Sequence, residues 1–302
     1  MGYKNMERYL IINADDFGMC RASNFAVFDL LKKGKITSST IMAPCGWAPE
    51  AAKFAKNNPQ FAIGVHLTTT SEWNNYRWGP VSACSNASMR DSEGYFYHEC
   101  DDFEKHADLK EVENEIRAQI EKLKALGLNP SHLDNHMGSL YGVAAGRFEL
   151  LELMIKIAGE YQLPLRMPMN FTDAQYSNTM LDVKVNPEAI KSLINKVVAY
   201  GKELKVAMPD YLMPGDWSGS QKESYEDYKE YIYELYRSFP EGVTETYIHP
   251  ALETDELKGT SSVWQRRVWE YKLFSDDQTK QHIDSLGIKL INYRDLAKMR
   301  NL

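Results

Sequence analysis

Short β-rich apolar runs alternate with stretches of helical periodicity along most of the chain. Tyr9–Asn13 reads as a buried strand by its apolar run, with a polar stop at Asp15. Ser23–Lys33 follows with Phe25, Ala26, Phe28 and Leu30 at near-helical spacing, and Gly34 is placed to terminate it. Thr37–Ala43 is β-branched and ends at Pro44, Pro49–Lys56 is helical, and Phe61–His66 is a third strand. The rhythm then breaks from 67 to about 108. It resumes with a helix at Glu111–Leu126, where Val112, Ile116, Ile120 and Leu123 recur every three or four residues. Next come a strand near His132–Asn135, a helix at Phe148–Tyr161 and a strand at Leu163–Met167. The last part reads as helix Pro187–Ala199, strand Leu204–Ala207, helix Ser224–Ser238 and strand Thr244–His249. Helices Val263–Phe274 and Asp277–Leu286, strand Ile288–Ile291 and helix Tyr293–Met299 complete it.

Eight strands, each followed by a helix, are the pattern of an α/β fold of the (β/α)₈ barrel type. A doubly wound open sheet is the alternative, and periodicity does not separate the two. Both place ligands at the carboxyl ends of the strands. The break near 68–108 carries Trp73, Tyr76, Trp78, Tyr95, Phe96 and Tyr97 among polar residues, and an insertion of this length reads as functional. Residues 1–302 are therefore expected to form one barrel domain with an insertion at about 68–108.

Composition narrows the class. The 302 residues are 43% hydrophobic and 25% charged, as in globular proteins. Lys and Arg number 35 against 42 Asp and Glu, a net charge of −7, which argues against a broad nucleic-acid-binding face. No run reaches the roughly 18 apolar residues of a membrane span. The stretch Met1–Arg8 lacks the apolar segment of a signal peptide. Cys20, Cys45, Cys84 and Cys100 are too dispersed to suggest a disulfide framework or a thiolate zinc site. A cytoplasmic protein with no nucleic-acid or membrane partner is the expectation.

Chemistry gathers at the strand ends. Asp15 and Asp16 follow the first strand, and His66 ends the third. His132, Asp134 and His136 run through the fourth, and His249 ends the strand before Pro250. Two histidines and one carboxylate commonly hold a divalent metal while leaving positions for water and substrate, and Asp16, His66 and His136 could supply them. Asp15 is then free to accept a proton from the attacking water. Alternate strand residues face opposite ways, so a turn after Asn13, eased by Phe17-Gly18, must re-aim one aspartate. Taken singly, His66 at a strand end is more often a satisfied core or rim histidine and the aspartates a helix cap; their joint convergence on one barrel mouth favours a site. His249 is read either as a proton donor or as a structural histidine. Arg166 could orient Asp15, bind a substrate anion or pair at the surface. Trp73, Trp78 and Trp217 either stack on sugar rings or pack their loops.

Asn13-Ala14-Asp15-Asp16-Phe17-Gly18, Gly64-Val65-His66-Leu67-Thr68, His132-Leu133-Asp134-Asn135-His136 and Thr246-Tyr247-Ile248-His249-Pro250 together resemble the YdjC/ChbG family of carbohydrate deacetylases. The resemblance implies a barrel of the glycoside hydrolase/deacetylase type and hydrolysis of N-acetyl groups from amino sugars, chitooligosaccharides or diacetylchitobiose 6-phosphate among them. It implies a divalent metal, commonly magnesium, with zinc or another ion as the alternative. Position by position it matches Asp16, His66 and His136 to metal ligands, Asp15 to the general base, His249 to the general acid and Arg166 to an active-site arginine. Gly138 stands where the family often has a further histidine. A small carbohydrate is the implied partner, with or without a phosphate, and a homodimer is the candidate assembly. Two other readings stay open: a metal-dependent phosphoesterase or glycosidase acting on a sugar phosphate, and a non-catalytic sugar-binding barrel.

Overall fold

A computed structural model describes residues 7–172 and 187–301. The elements run β1 (Arg8–Phe17), α1 (Arg21–Lys32), β2 (Ser38–Ile41), α2 (Ala48–Asn57), β3 (Ala62–Leu67), α3 (Cys100–His106), α4 (Leu109–Ala125), β4 (Leu133–Asn135) and α5 (Glu149–Glu160). They continue with α6 (Pro187–Glu203), β5 (Tyr211–Leu212), α7 (Tyr225–Arg237), β6 (Gly242–Ile248), α8 (Asp255–Thr260), α9 (Trp264–Ser275), α10 (Asp277–Ser285), β7 (Ile288–Leu290) and α11 (Tyr293–Met299). The α/β alternation expected from periodicity is present, with all ladders parallel in the order β4-β3-β2-β1-β6-β5.

The sheet curls, and single backbone bonds span the gap between its ends. Leu133 donates to the Pro164 carbonyl and Arg166 to that of Leu133, both at 2.9 Å. Leu165 donates to Ala207 and Asp210 to Val243, also at 2.9 Å. The strand expected at Leu163–Met167 is thus reduced to an isolated bridge, Leu133 with Leu165, and the one at Leu204–Ala207 is displaced to Tyr211–Leu212. The eighth strand takes no place of its own in the ring. β7 pairs with Arg8–Leu10 of β1, while β2 pairs with Asn13–Phe17. The result is a distorted barrel.

Alternation along β1 sorts its two faces. Leu10, Ile12 and Ala14 join the main apolar core, whereas Ile11 packs with Ala207, Val243, Tyr293 and Leu296 in a separate small cluster. His132 lies ahead of β4 rather than at its carboxyl end, stacked on Tyr293 with ring centroids 3.7 Å apart. Burial lowers its pKa to about 3, so the ring is neutral. A Cβ on Gly64 would lie 2.4 Å from the His132 carbonyl, which is why β3 carries glycine there.

The 68–108 segment is largely irregular and includes α3, which periodicity did not reveal. No helix among the described residues is long and apolar enough to cross a membrane.

Candidate metal centre

β1 carries both aspartates, yet they meet different partners. Its register against β2 slips between Ala14 and Phe17, and Asp16 takes φ +60°. This bulge replaces the turn expected after Asn13: the strand runs on to Phe17, and the two carboxylates are separated within it. The left-handed backbone costs on the order of 1 kcal/mol, and Asp tolerates it better than most residues.

Asp16 Oδ1 lies 3.4 Å from His66 Nε2 and 3.4 Å from His136 Nδ1. One donor atom from each of these residues falls within 4.8 Å of the others. Asp16 Oδ2 accepts from Arg267 Nη2 at 2.7 Å, but Oδ1 is buried with no hydrogen-bond partner. Each imidazole is held by a carboxylate on its far nitrogen: Asp134 Oδ1 is 2.7 Å from His66 Nδ1, and Glu72 Oε2 is 2.9 Å from His136 Nε2. With protons on those far nitrogens, the lone pairs facing Asp16 are free to bind a cation.

Electrostatics favours positive charge at this point. Burial pushes both imidazoles toward neutrality, but Asp134 lifts His66 to about 10 and Glu72 lifts His136 to about 9. Burial likewise raises Asp16, and the Arg267 guanidinium prevails and holds it well below the usual carboxylate range. Asp15, Asp16, Asp134 and Glu72 against Arg166 and Arg267 leave two negative charges, which the two protonated imidazoles balance until a cation displaces a proton from each ring. A divalent cation then balances the same two charges.

Asp15 has no such opening. Arg166 binds both its oxygens at 2.7 Å, and Asn13 Nδ2 donates to Oδ1 at 2.9 Å. The same guanidinium donates from Nε to Glu245 at 2.8 Å and lies 3.0 Å from Asp134. Arg166 is 2% exposed, so the substrate anion expected at this residue has no free donor edge to meet. Of its sequence readings, the geometry matches the orientation of Asp15.

His249 follows β6 and is half-buried. Its backbone N–H donates to Glu270 at 2.6 Å, and its Nδ1 stands 3.9 Å from the same carboxylate. Burial pushes its pKa down, and Asp16 is the largest opposing influence. Trp73 and Trp78 are only 7% and 4% exposed. Trp73 meets Trp78 edge-on at 5.6 Å and lies beneath Arg267 at 5.2 Å. Trp78 donates to the Thr70 carbonyl at 2.7 Å and its ring centroid is 5.9 Å from that of His136. These rings brace the insertion rather than presenting open faces for sugar stacking. Trp217 is half-buried against Tyr228 and Trp269.

Glu72, Arg267 and Glu270 escaped the sequence reading. Glu72 lies in a stretch with no periodicity. Arg267 and Glu270 had one signal, since they begin the buried stripe 267, 270, 273, 274 of α9, where apolar residues are the norm. At Gly138, φ is +71° and an added Cβ would sit 3.2 Å from the Tyr141 ring, so the local backbone suits glycine.

A family described as YdjC-like protein matches residues 9–285. A carbohydrate deacetylase of Thermoanaerobacter pseudethanolicus is 29% identical over 292 residues, covering 95% of this chain and 98% of its own. A chitooligosaccharide deacetylase of Yersinia enterocolitica is 26% identical over 297 residues, covering 96% and 100%. A crystal structure from Enterococcus faecalis V583, of a protein described as a candidate for cellobiose-phosphate cleavage, aligns with a TM-score of 0.72 at 28% identity, covering 96% and 99%.

Proposed function

The chain belongs to the YdjC-like protein family, and we propose that it is a carbohydrate deacetylase that hydrolyses the N-acetyl group of an amino sugar at a divalent-metal site formed by Asp16, His66 and His136. The observation that carries the reading is the orphaned Oδ1 of Asp16 between two imidazole nitrogens whose far sides are each held by a carboxylate. This donor set fits a divalent ion. Two imidazoles suit zinc or another late first-row ion at least as well as magnesium, so both belong in the test.

Bound there, a divalent ion would polarise the acetamide carbonyl and acidify the attacking water. Asp15 is the carboxylate outside the ligand set, and Arg166 and Asn13 hold it as an oriented acceptor for the water's proton. His249 donates a proton to the departing amine. The proton that Asp15 takes from the water balances the one His249 gives to the amine, so the reaction has no net proton change at the protein. Arg166 is engaged by Asp15, Asp134 and Glu245, which leaves it no donor edge for a phosphoryl group and disfavours the phosphoesterase reading. The chain acts as one barrel unit with residues 68–108 as its insertion.

The test is acetate release from N-acetylated chitooligosaccharides by protein loaded with zinc or magnesium, before and after EDTA. Free acetate that disappears with the metal and returns on reloading is expected. Release of shorter sugars without acetate, or no acetate from the metal-loaded protein, refutes the proposal.

A further inference from the structure

Near its start the insertion carries two adjacent residues, Glu72 and Trp73, that reach opposite sides of the candidate centre. Glu72 accepts from, or shares a proton with, His136 Nε2 at 2.9 Å. Trp73 lies under the Arg267 guanidinium at 5.2 Å, and that guanidinium holds Asp16 Oδ2 at 2.7 Å. Arg267 is buried, and its Nε and Nη1 have no hydrogen-bond partner, so the Trp73 face is the principal compensation found for them.

The segment leading to these residues is firmly anchored. Thr68 exchanges hydrogen bonds with Gln119, its N–H donating to Oε1 at 2.9 Å and its carbonyl accepting from Nε2 at 2.6 Å. Thr69 and Ser139 hydroxyls meet at 2.7 Å, and Ser71 N–H donates to the Tyr97 carbonyl at 2.8 Å. The far side of the insertion holds Glu72 as well. His98 Nδ1 lies 3.3 Å from the Glu72 carbonyl, and Arg77 Nη1 donates to His98 Nε2 at 2.6 Å. A carboxylate placed this rigidly is pre-oriented toward its imidazole.

We propose that Glu72 and Trp73 form a clasp by which the insertion positions the metal ligands. Glu72 keeps the His136 proton on Nε2, so this histidine offers Nδ1 to the ion, whereas His66, held by Asp134 on Nδ1, offers Nε2. Trp73 supports Arg267, which occupies Asp16 Oδ2 and leaves Oδ1 as the one ligand oxygen. Both are positioning residues. The inference rests on the metal reading above and adds to it the control of ring orientation by the insertion.

Affinities of Zn²⁺ and Mg²⁺ for the metal-free full chain, measured by calorimetry in the parent and in Glu72→Ala, Glu72→Gln and Trp73→Phe, test it. Glu72→Ala is expected to weaken binding by about 10- to 100-fold. Glu72→Gln should recover part of the loss, because its amide oxygen still accepts from Nε2–H, and Trp73→Phe should stay close to the parent. Imidazole ¹⁵N shifts of the Zn²⁺-loaded parent should show His136 ligated through Nδ1 and His66 through Nε2, a readout that needs no variant to fold. Ligation of His136 through Nε2 overturns the proposal. So does parental affinity in Glu72→Ala, or equal weakening by Ala and Gln matched by an equal fall in metal-free melting temperature. A parent that binds neither ion refutes the metal reading itself, which is a separate outcome.

Discussion

Asp15 and Asp16 are neighbours in sequence with the same side chain, and the fold gives them opposite chemistry. Both oxygens of Asp15 are taken by Arg166, with Asn13 adding a third bond. Asp16 has one oxygen paired with Arg267 and the other facing two imidazole nitrogens with no partner. A carboxylate held by three such bonds is fixed in orientation and keeps one lone pair, on Oδ2, to accept a proton along one direction. A half-satisfied buried carboxylate is a site awaiting a cation, because leaving that oxygen unpaired costs free energy that a ligand recovers. The bulge at Ala14–Phe17 is what separates the two roles.

The contrast can be broken from either side. Asp16→Ala should abolish stoichiometric metal binding and lower acetate release by about three orders of magnitude or more, since it removes the one ligand oxygen. Asp15→Asn should leave metal affinity near parental in calorimetry while lowering turnover by about 10²- to 10⁴-fold, the usual worth of a general base. If the two variants lost metal equally, the division of roles would be wrong.

Arg166→Met tests how the saturated side is held. It leaves Asp15, Asp134 and Glu245 without their shared cation, and breaking a buried pair costs about 3–5 kcal/mol. Thermal denaturation should show a loss of about 10 °C. The smallest expected effect concerns Glu245. Burial raises its pKa from 4.5 to about 7, with Arg166 and the Tyr293 hydroxyl opposing. A carboxyl whose folded pKa is raised contributes stability that is complete below about pH 4.5 and declines as pH rises through 7. Glu245→Gln, which mimics the protonated form, should flatten the melting temperature by a few degrees across that window. Unchanged pH dependence would mean the group is ionised throughout.

Much of this was legible in residue order. Strand and helix succession follows from periods of two and 3.6, which are local. That Asp15, Asp16, His66 and His136 gather at the carboxyl ends of strands follows from where those periods stop, although β1 runs on through both aspartates to Phe17 and His66 lies within β3. Glu72 gave no such signal because it lies in a stretch without period, and Arg267 sits on a helix face where charge is the exception. For Trp73 and Trp78 the sequence left sugar stacking and loop packing both open, and burial turns their rings toward each other, Arg267 and His136. The missing eighth place in the ring was equally hidden. β7 and β2 both read as ordinary strands, and only their shared edge on β1 shows that one of them lies outside the circuit.

The sequence by itself determined the order of elements and the acids and imidazoles available at the strand ends, because those depend on neighbours a few residues apart. Tertiary structure decided which carboxylate is saturated and which is open, which arginine serves which aspartate, and which nitrogen each histidine presents. Those choices depend on register and on groups far apart in the chain, such as His66 with Asp134, 68 residues on, and Asp16 with Arg267, 251 residues on. No local period encodes such pairings.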